Sequence, residues 1–468
     1  MGFCGIDFGT TNTAMVYFSE HTGMIFVGDE EENLPLPSIV ALNKHTGEII
    51  VGSDVKRNIQ KYTRDYEIVL SIKTVLDDPK QEWNVAGRTL KPVDIAAEIF
   101  KTLKNNATKR KIDISKIVIS VPINFSSGKK ICLREAAKKA GLDIKKFVNE
   151  PTAAFLAHYE ELKSFSKTVI FDWGGGTLDI SALDIKNGTI REIYTDNMYK
   201  AGDNIDKDLA RSIYETSIKK YGLSLIPFDK IEADEYDELI AKAELAKIYL
   251  SKDNQNRYDD FCKIQGKIRD ITVTYEDLCN ISENIVNEAI SKLNHVISKA
   301  YNERVHCILC VGGSSNLRNL KEKLRKIYGD ILYFPDFPQW DIANGACIID
   351  ASNRNNVYKL AYDINLILSN GDKYPLLKEG QLIPCKESKI HLSTVDCSEN
   401  ANFVFQFGQD EYHEITIPLL GGVDETFDLF TYIDNYSVLH IDMKNNKIQE
   451  DERYNIFRYE KLDLCYNV

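Results

Sequence analysis

Positive charge is in short supply in this chain. Its 468 residues hold 58 Lys and Arg against 70 Asp and Glu, a net charge of −12. No basic stripe dominates, which argues against nucleic acid or an anionic membrane as the main partner. No apolar run is long enough to cross a bilayer. The N-terminus lacks the apolar core of a secretion signal, and Met1 to Asp7 reads as a first strand. A Met1-Gly2 start is shared with myristoylated proteins, but Ile6 stands where that motif needs Ser or Thr. Among ten cysteines there is one C-x-x-C, Cys307 and Cys310, and no second. Val305 to Val311 is an apolar run that predicts a buried strand, where residues three apart face opposite ways. Two buried thiols fit this better than half a zinc site. A reduced, cytoplasmic protein is the expectation. Low-complexity tracts and short repeats are also missing.

What is present is ordinary in bulk and unusual in pattern. Apolar residues make up 43% and charged residues 27%, as in globular proteins. The length exceeds one core, so two to four domains are expected. Two glycine-rich turns stand about 160 residues apart. The first is Gly5-Ile6-Asp7-Phe8-Gly9-Thr10-Thr11-Asn12. The second is Phe171-Asp172-Trp173-Gly174-Gly175-Gly176-Thr177-Leu178-Asp179. In each an Asp precedes a Gly/Thr turn beside an apolar stretch. Glycine lets backbone N–H groups approach phosphate oxygens that a Cβ would hold off. Threonine adds a hydroxyl donor, and a nearby Asp can hold Mg2+ through water. One such turn is a weak signal. Two suggest a duplicated fold that clamps a nucleotide from both sides.

The remaining pattern divides the chain. Short strands are predicted at 2–8, 12–18 and 24–27, continued by Ile39 to Leu42 and Ile49 to Gly52. Helices are predicted at 92–108, at 128–141 with a stop at Gly141, and from Pro151 to about Leu162. Strands Thr168 to Asp172 and Leu178 to Ile185 flank the second turn. Helices follow at 204–221, 234–251, 276–300, 317–328 and 342–352. Asn353-Arg354-Asn355-Asn356 is polar and aperiodic and reads as a boundary. Beyond it strict alternation appears, in Phe403/Phe405/Phe407, Ile415/Ile417 and Leu439/Ile441/Met443. This is the signature of a half-buried antiparallel sheet, so a small all-β sandwich is expected.

Five segments occur in an order that resembles the actin-like ATPase domain of the 70-kilodalton heat-shock chaperone (DnaK-type) family. They are the first turn, Ile119-Ser120-Val121-Pro122-Ile123-Asn124-Phe125, Val148-Asn149-Glu150-Pro151-Thr152-Ala153-Ala154, the second turn, and Cys310-Val311-Gly312-Gly313-Ser314-Ser315. The resemblance implies an α/β actin-like ATPase of two duplicated ribonuclease-H-like lobes, followed by a β-sandwich. The nucleotide-binding domain would span 1–357, with lobes at about 1–166 and 167–352. A linker would occupy 358–363, and the peptide-binding domain 364–468. The family's helical lid has no counterpart up to Val468. ATP or ADP and Mg2+ are the implied cofactors, with K+ as a further ion.

The resemblance also assigns roles. Asp7 and Asp179 would hold the Mg2+ water shell. Gly9, Thr10, Thr11, Asn12, Gly174, Gly175 and Gly176 would cradle the phosphates, with Thr177 beside them. Lys73 matches the lysine that orients the attacking water, and Glu150 and Asp172 match the acidic pair that positions water and metal. Phosphoryl transfer needs such positioning and charge more than covalent chemistry. Gly202, Glu244, Lys247, Ser251, Gly312, Gly313 and Ser314 would meet the nucleoside. Plainer readings exist for several: Lys73 as a solvated lysine, Glu150 as a favourable acid at a helix start, Gly312 to Ser314 as a simple turn, His158 as a surface or half-buried residue.

The chain departs from the family at several points. Ile248 and Asn316 replace two arginines that sandwich adenine, a loss of about 1–2 kcal/mol of stacking. Gln339 follows Pro338 where the family has an acid. The linker, Lys359-Leu360-Ala361-Tyr362-Asp363, is less apolar, which predicts weaker coupling. The loop Ser369-Asn370-Gly371-Asp372-Lys373 is short and polar where the family has an apolar arch over bound peptide. Four functions follow. The leading one is a slowly hydrolysing, ATP-dependent chaperone with polypeptide clients, a co-chaperone and a nucleotide-exchange factor. The second is a nucleotide-gated scaffold with one dedicated partner. A small-metabolite kinase and a filament former come third and fourth.

Overall fold

The computed structural model describes residues 2–29, 34–352, 358–394, 399–419, 425–446 and 453–467. The expected boundary at 353–356 lies outside them. The chain forms two compact units. The first comprises Met1–Ile123, Cys132–Asp184 and Ile193–Asn353, and the second Asn124–Ile131, Ile185–Glu192 and Arg354–Val468. Two segments from the earlier chain, 124–131 and 185–192, thus belong to the second unit.

The first unit holds two large sheets. In one, the strand Gly2–Phe8 pairs antiparallel with Asn12–Ser19, which pairs with Gly23–Val27. On its other side Gly2–Phe8 runs parallel to Lys116–Val121, itself parallel to Asp143–Asn149. In the other sheet, Lys167–Trp173 pairs antiparallel with Leu178–Lys186, which neighbours Thr189–Met198. On its other side Lys167–Trp173 runs parallel to Cys307–Val311, itself parallel to Leu332–Tyr333. The order of strands is therefore the same in both. Their central strands are apolar on both faces, as parallel strands covered by helices must be; Ile6, Ile119, Val169 and Leu309 are fully buried.

Local chemistry sets the helix ends. Pro92 opens the helix Pro92–Lys109, where the missing N–H costs nothing, and Asp94 accepts from the Lys91 N–H at 2.9 Å. Thr274 and Asp277 cap the helix Tyr275–Ala300 reciprocally, at 3.1 and 2.9 Å. The helix expected to run from Pro151 to Leu162 is interrupted. It spans Glu150–Ala157, and a second begins at Tyr159. Between them His158 leaves helical geometry, and its half-buried ring lies 5.2 Å from that of Tyr333, with Nε2 3.1 Å from Asp341 Oδ1. Cys307 and Cys310 both lie on a fully buried strand. Burial pushes the Cys307 thiol up to about 12.

One helix, Asp341–Ala351, packs backbone to backbone against two neighbours. A Cβ on Gly5 would stand 2.2 Å from Ala343 O, and one on Gly345 would stand 1.8 Å from Ala153 O. Only glycine permits so close an approach. The first strand and the helix Glu150–Ala157 are thereby tied to the same element.

The second unit contains two four-stranded antiparallel sheets. One orders Lys373–Leu377, Ile364–Ile367, Asn400–Phe407 and Glu411–Pro418, and the other Cys385–Ser393, Thr426–Ile433, Leu439–Asn445 and Tyr454–Tyr459. Alternation places Phe403, Phe405 and Phe407 in a core with Leu429, Leu439 and Ile441. Within this unit Glu460 accepts from the Ser127 N–H at 3.1 Å and its hydroxyl at 2.7 Å.

Candidate active site

Asp7 reaches the site at the end of the first strand, in register with Ser120 of the parallel neighbour. The Ser120 hydroxyl donates to Asp7 Oδ1 at 3.0 Å. The turn that follows, Gly9 to Thr11, is braced from outside: Ser38 Oγ donates to Gly9 O at 3.0 Å, and Ser38 N to Thr11 O at 2.7 Å. Asn12 then opens the returning strand.

The second turn is tighter. Asp172 and Asp179 sit directly opposite one another on adjacent strands, and Gly174 N donates to Thr177 O at 2.9 Å. Thr11 from the first turn comes close to the glycines of the second. A Cβ on Gly175 would lie 2.9 Å from Thr11 Cγ2, and one on Gly176 would lie 2.7 Å from Thr11 Oγ1. The two turns thus face each other with no side chain from Gly175 or Gly176 between them.

Lys73 lies on a short 3-10 turn, Ile72–Val75, just after Ser71, whose φ of 53° is left-handed. It is 7% exposed, and its Nζ stands 2.6 Å from Glu150 Oε1. Glu150 occupies the first turn of its helix. The reading of Lys73 as a solvated lysine is therefore overturned, because packing and a carboxylate partner enclose it. Burial opposes its charge, yet Glu150, Asp7 and Asp179 outweigh that and hold its pKa above the ordinary value. Burial and the charge of Glu150 push Asp7 up to about 6. The same two causes push Asp179 to about 6, against a hydrogen bond from Thr177. Asp172 is raised well above the usual carboxylate range by burial and by Asp179, Asp7 and Glu150. Such a crowd of acids, offset by one lysine, fits a divalent cation, which would relieve the repulsion.

A second cluster adjoins the glycines. Ser314 Oγ and Gly202 N donate to Gly174 O at 2.7 and 3.3 Å. Gly312, with φ of 81°, leaves no room for a side chain: a Cβ would stand 2.5 Å from Trp173 O. Beside Gly313 the space is open. Lys247 Nζ donates to Gly202 O at 3.2 Å and pairs with Asp206 at 2.6 Å. Glu244 pairs with Lys56 at 2.7 Å.

Residues 66–351, more than half of the chain, match the family model described as Hsp70 protein. The chain belongs to the Hsp70 family. Hsp70 proteins are ATP-binding chaperones with ATPase activity, and they bind nucleotide with Mg2+. The match takes in Lys73, Glu150, the second turn and Gly312 to Ser314. The first turn and the part of the second unit beyond residue 353 lie outside it.

Of the Hsp70 residues expected at the site, the structure brings together Asp7, Lys73, Glu150, Asp172 and Asp179, with Thr11, Gly175 and Gly176 alongside. Those expected at the nucleoside are engaged within the protein. Glu244 and Lys247 have carboxylate or amine partners, and the Ser251 hydroxyl donates to Lys247 O at 2.7 Å. Ile248 is exposed, and Asn316 accepts from Lys321 Nζ at 2.9 Å. Sequence reasoning missed Ser120, Lys56 and Asp206. Ser120 lay inside a quoted motif, and its register opposite Asp7 was the signal. Lys56 and Asp206 carried none, because their partners are distant in sequence.

Proposed function

We propose that this chain binds MgATP at the two facing turns, hydrolyses it slowly, and uses the nucleotide state to govern polypeptide binding by its β-rich second unit. The buried Lys73–Glu150 pair among three aspartates carries this reading. Lys73 offers positive charge toward the γ-phosphate. Glu150, held by Lys73, accepts a proton from the attacking water or orients it. Asp7 and Asp179 would hold Mg2+ through its water shell, and the ion would neutralise phosphate charge. Gly174 to Gly176 and Thr10 and Thr11 would cradle the phosphates. The shared strand order of the two sheets supports the assignment of 1–357 as duplicated lobes. On that reading 358–363 is a linker and 364–468 a partner-binding domain.

One observation favours a dedicated partner over general clients. Residues 368–372 close a tight polar turn, in which Leu368 N donates to Asp372 O at 2.9 Å and Gly371 N to Leu368 O at 2.8 Å. Such a turn offers no apolar arch.

The test is ATP turnover by purified protein with and without an unfolded polypeptide, with Lys73→Ala as control. Slow turnover that polypeptide accelerates supports the chaperone cycle. Lys73→Ala is expected to cut turnover about a hundredfold or more and to retain Mg-nucleotide binding. A variant that turns over at the parent rate removes Lys73 from the chemistry. Tight binding without responsive turnover favours the dedicated partner.

A further inference from the structure

The net charge of −12 conceals a concentration of the opposite sign. Residues 101–149 hold 13 Lys and Arg against 3 Asp and Glu, a net of +10, and the rest of the chain carries −22. The fold gathers much of this stretch. Lys104 Nζ donates to Gly141 O at 2.7 Å, which sets the helix Pro92–Lys109 beside residues 138–141. Asp143 N donates to Ser115 O at 2.7 Å, and Lys116 lies in register with Asp143. Residues 109–116 and 138–146 therefore surround one place, the starting ends of the parallel strands Lys116–Val121 and Asp143–Asn149. Lys109, Lys111, Lys116, Lys138, Lys139 and Lys145 are all exposed there. Lys139 meets Asp94 and Lys145 meets Asp350, so acids of the chain partly balance at least these two.

Those strands end at the site: Glu150 directly follows the second of them. Strands of this length, rising about 3.3 Å per residue, put the basic end roughly 20 Å from the carboxylates. It is a separate surface.

We propose that this basic end of the first unit docks a short acidic polypeptide segment. Three features select that occupant over other polyanions. The exposed cations are lysines, whereas the two arginines of the stretch, Arg110 and Arg134, are engaged, one on Phe26 O and one over the Phe147 ring. Planar, forked recognition of phosphate is thus not what the surface presents. Among the described residues no large aromatic is exposed between 92 and 149, so bases find no stacking platform and a bilayer finds no aromatic anchor. Finally, the chain as a whole carries −12, which opposes the approach of a large polyanion such as a duplex or an anionic bilayer. A segment of a few residues interacts within about 8 Å, one screening length at physiological salt, and meets a patch in which lysines outnumber the exposed acids Asp113 and Asp143.

The experiment is fluorescence anisotropy of a labelled Glu/Asp peptide of about 12 residues with the full chain. It is run alongside the variant Lys111→Glu/Lys116→Glu/Lys138→Glu and a milder variant with Gln at the same three positions. The parent is expected to bind with an affinity that falls as salt rises. The Glu variant is expected to bind about tenfold more weakly or not at all, with the Gln variant between them. ATP turnover should be unchanged in both, because none of the three residues lies at the site. Equal binding by parent and Gln variant overturns the proposal. So does a DNA duplex or a phosphatidylserine vesicle that outcompetes the peptide at about 0.15 M salt.

Discussion

The two sheets of the first unit share a strand order and part company at their turns. The first turn has one glycine between Asp7 and Thr10, and its aspartate is steadied by a hydroxyl from the neighbouring strand. The second has three glycines in a row, and its aspartate faces another aspartate across the hairpin. Like charges opposed on a sheet are unfavourable. So one sheet supplies a single supported carboxylate, and the other supplies two that repel. The topology determines where carboxylates arrive. Burial and the charge of Glu150 then set how readily Asp7 and Asp179 give up their protons, with the Ser120 and Thr177 hydroxyls opposing the rise. Lys73 and Glu150 belong to neither hairpin and act on both.

The largest expected effect comes from removing what both halves share. Glu150→Gln should lower kcat about a hundredfold or more, the usual worth of a positioned base. Because Glu150 raises both Asp7 and Asp179, the same variant should move the acid limb of Mg2+ binding to lower pH; an unmoved limb would detach Glu150 from both aspartates. Gly176→Ala attacks the contact between the turns. Its Cβ would stand 2.7 Å from Thr11 Oγ1, and nucleotide affinity measured by calorimetry should fall roughly tenfold as Thr11 is displaced. Next is the pH dependence of the parent. Asp7 and Asp179, raised to about 6, are ionised above that pH and compete with protons below it. Mg2+ affinity should be flat above pH 7 and weaken by about tenfold per unit or more below 6. The sign for stability is opposite: these raised carboxylates favour the folded state more as pH falls through 6, so the metal-free protein gains stability from them on mild acidification. The smallest effect separates the hairpins. Ser120→Ala removes the donor of Asp7 alone and should move the acid limb upward by less than about one unit, with kcat nearly unchanged. A large loss of kcat would show that Ser120 acts on the reaction itself.

Much of this was legible in the sequence. Both turns, the helices Pro92–Lys109 and Tyr275–Ala300, and the alternating strands of the second unit announce themselves through local periodicity and capping. The hairpin Arg257–Ile264 with Lys267–Thr274 was overlooked, although Gln265-Gly266, with φ of 48° and 74°, is a recognisable turn pair. Its exposed Phe261 and Ile268 blurred the alternation. The break at His158 was hidden because its cause, contact with Tyr333 and Asp341, is far away in the chain. The site was legible as a set of residues and not as a set of partners. Nothing local to Lys56 or Asp206 foretells Glu244 or Lys247. Whole-chain charge also misled, since an average of −12 says nothing about where the lysines of 101–149 gather.

The glycine contacts of the helix Asp341–Ala351 have a mechanical meaning. Gly5 lies two residues before Asp7, and Ala153 lies one turn after Glu150. With bare backbone at both contacts, there are no side chains to flex and take up play. The helix works as a rigid strut bolted to the two elements that carry opposed acids of the site. A shift of that strut would carry Asp7 and Glu150 together, so their mutual spacing would hold while their distance to the second turn changed.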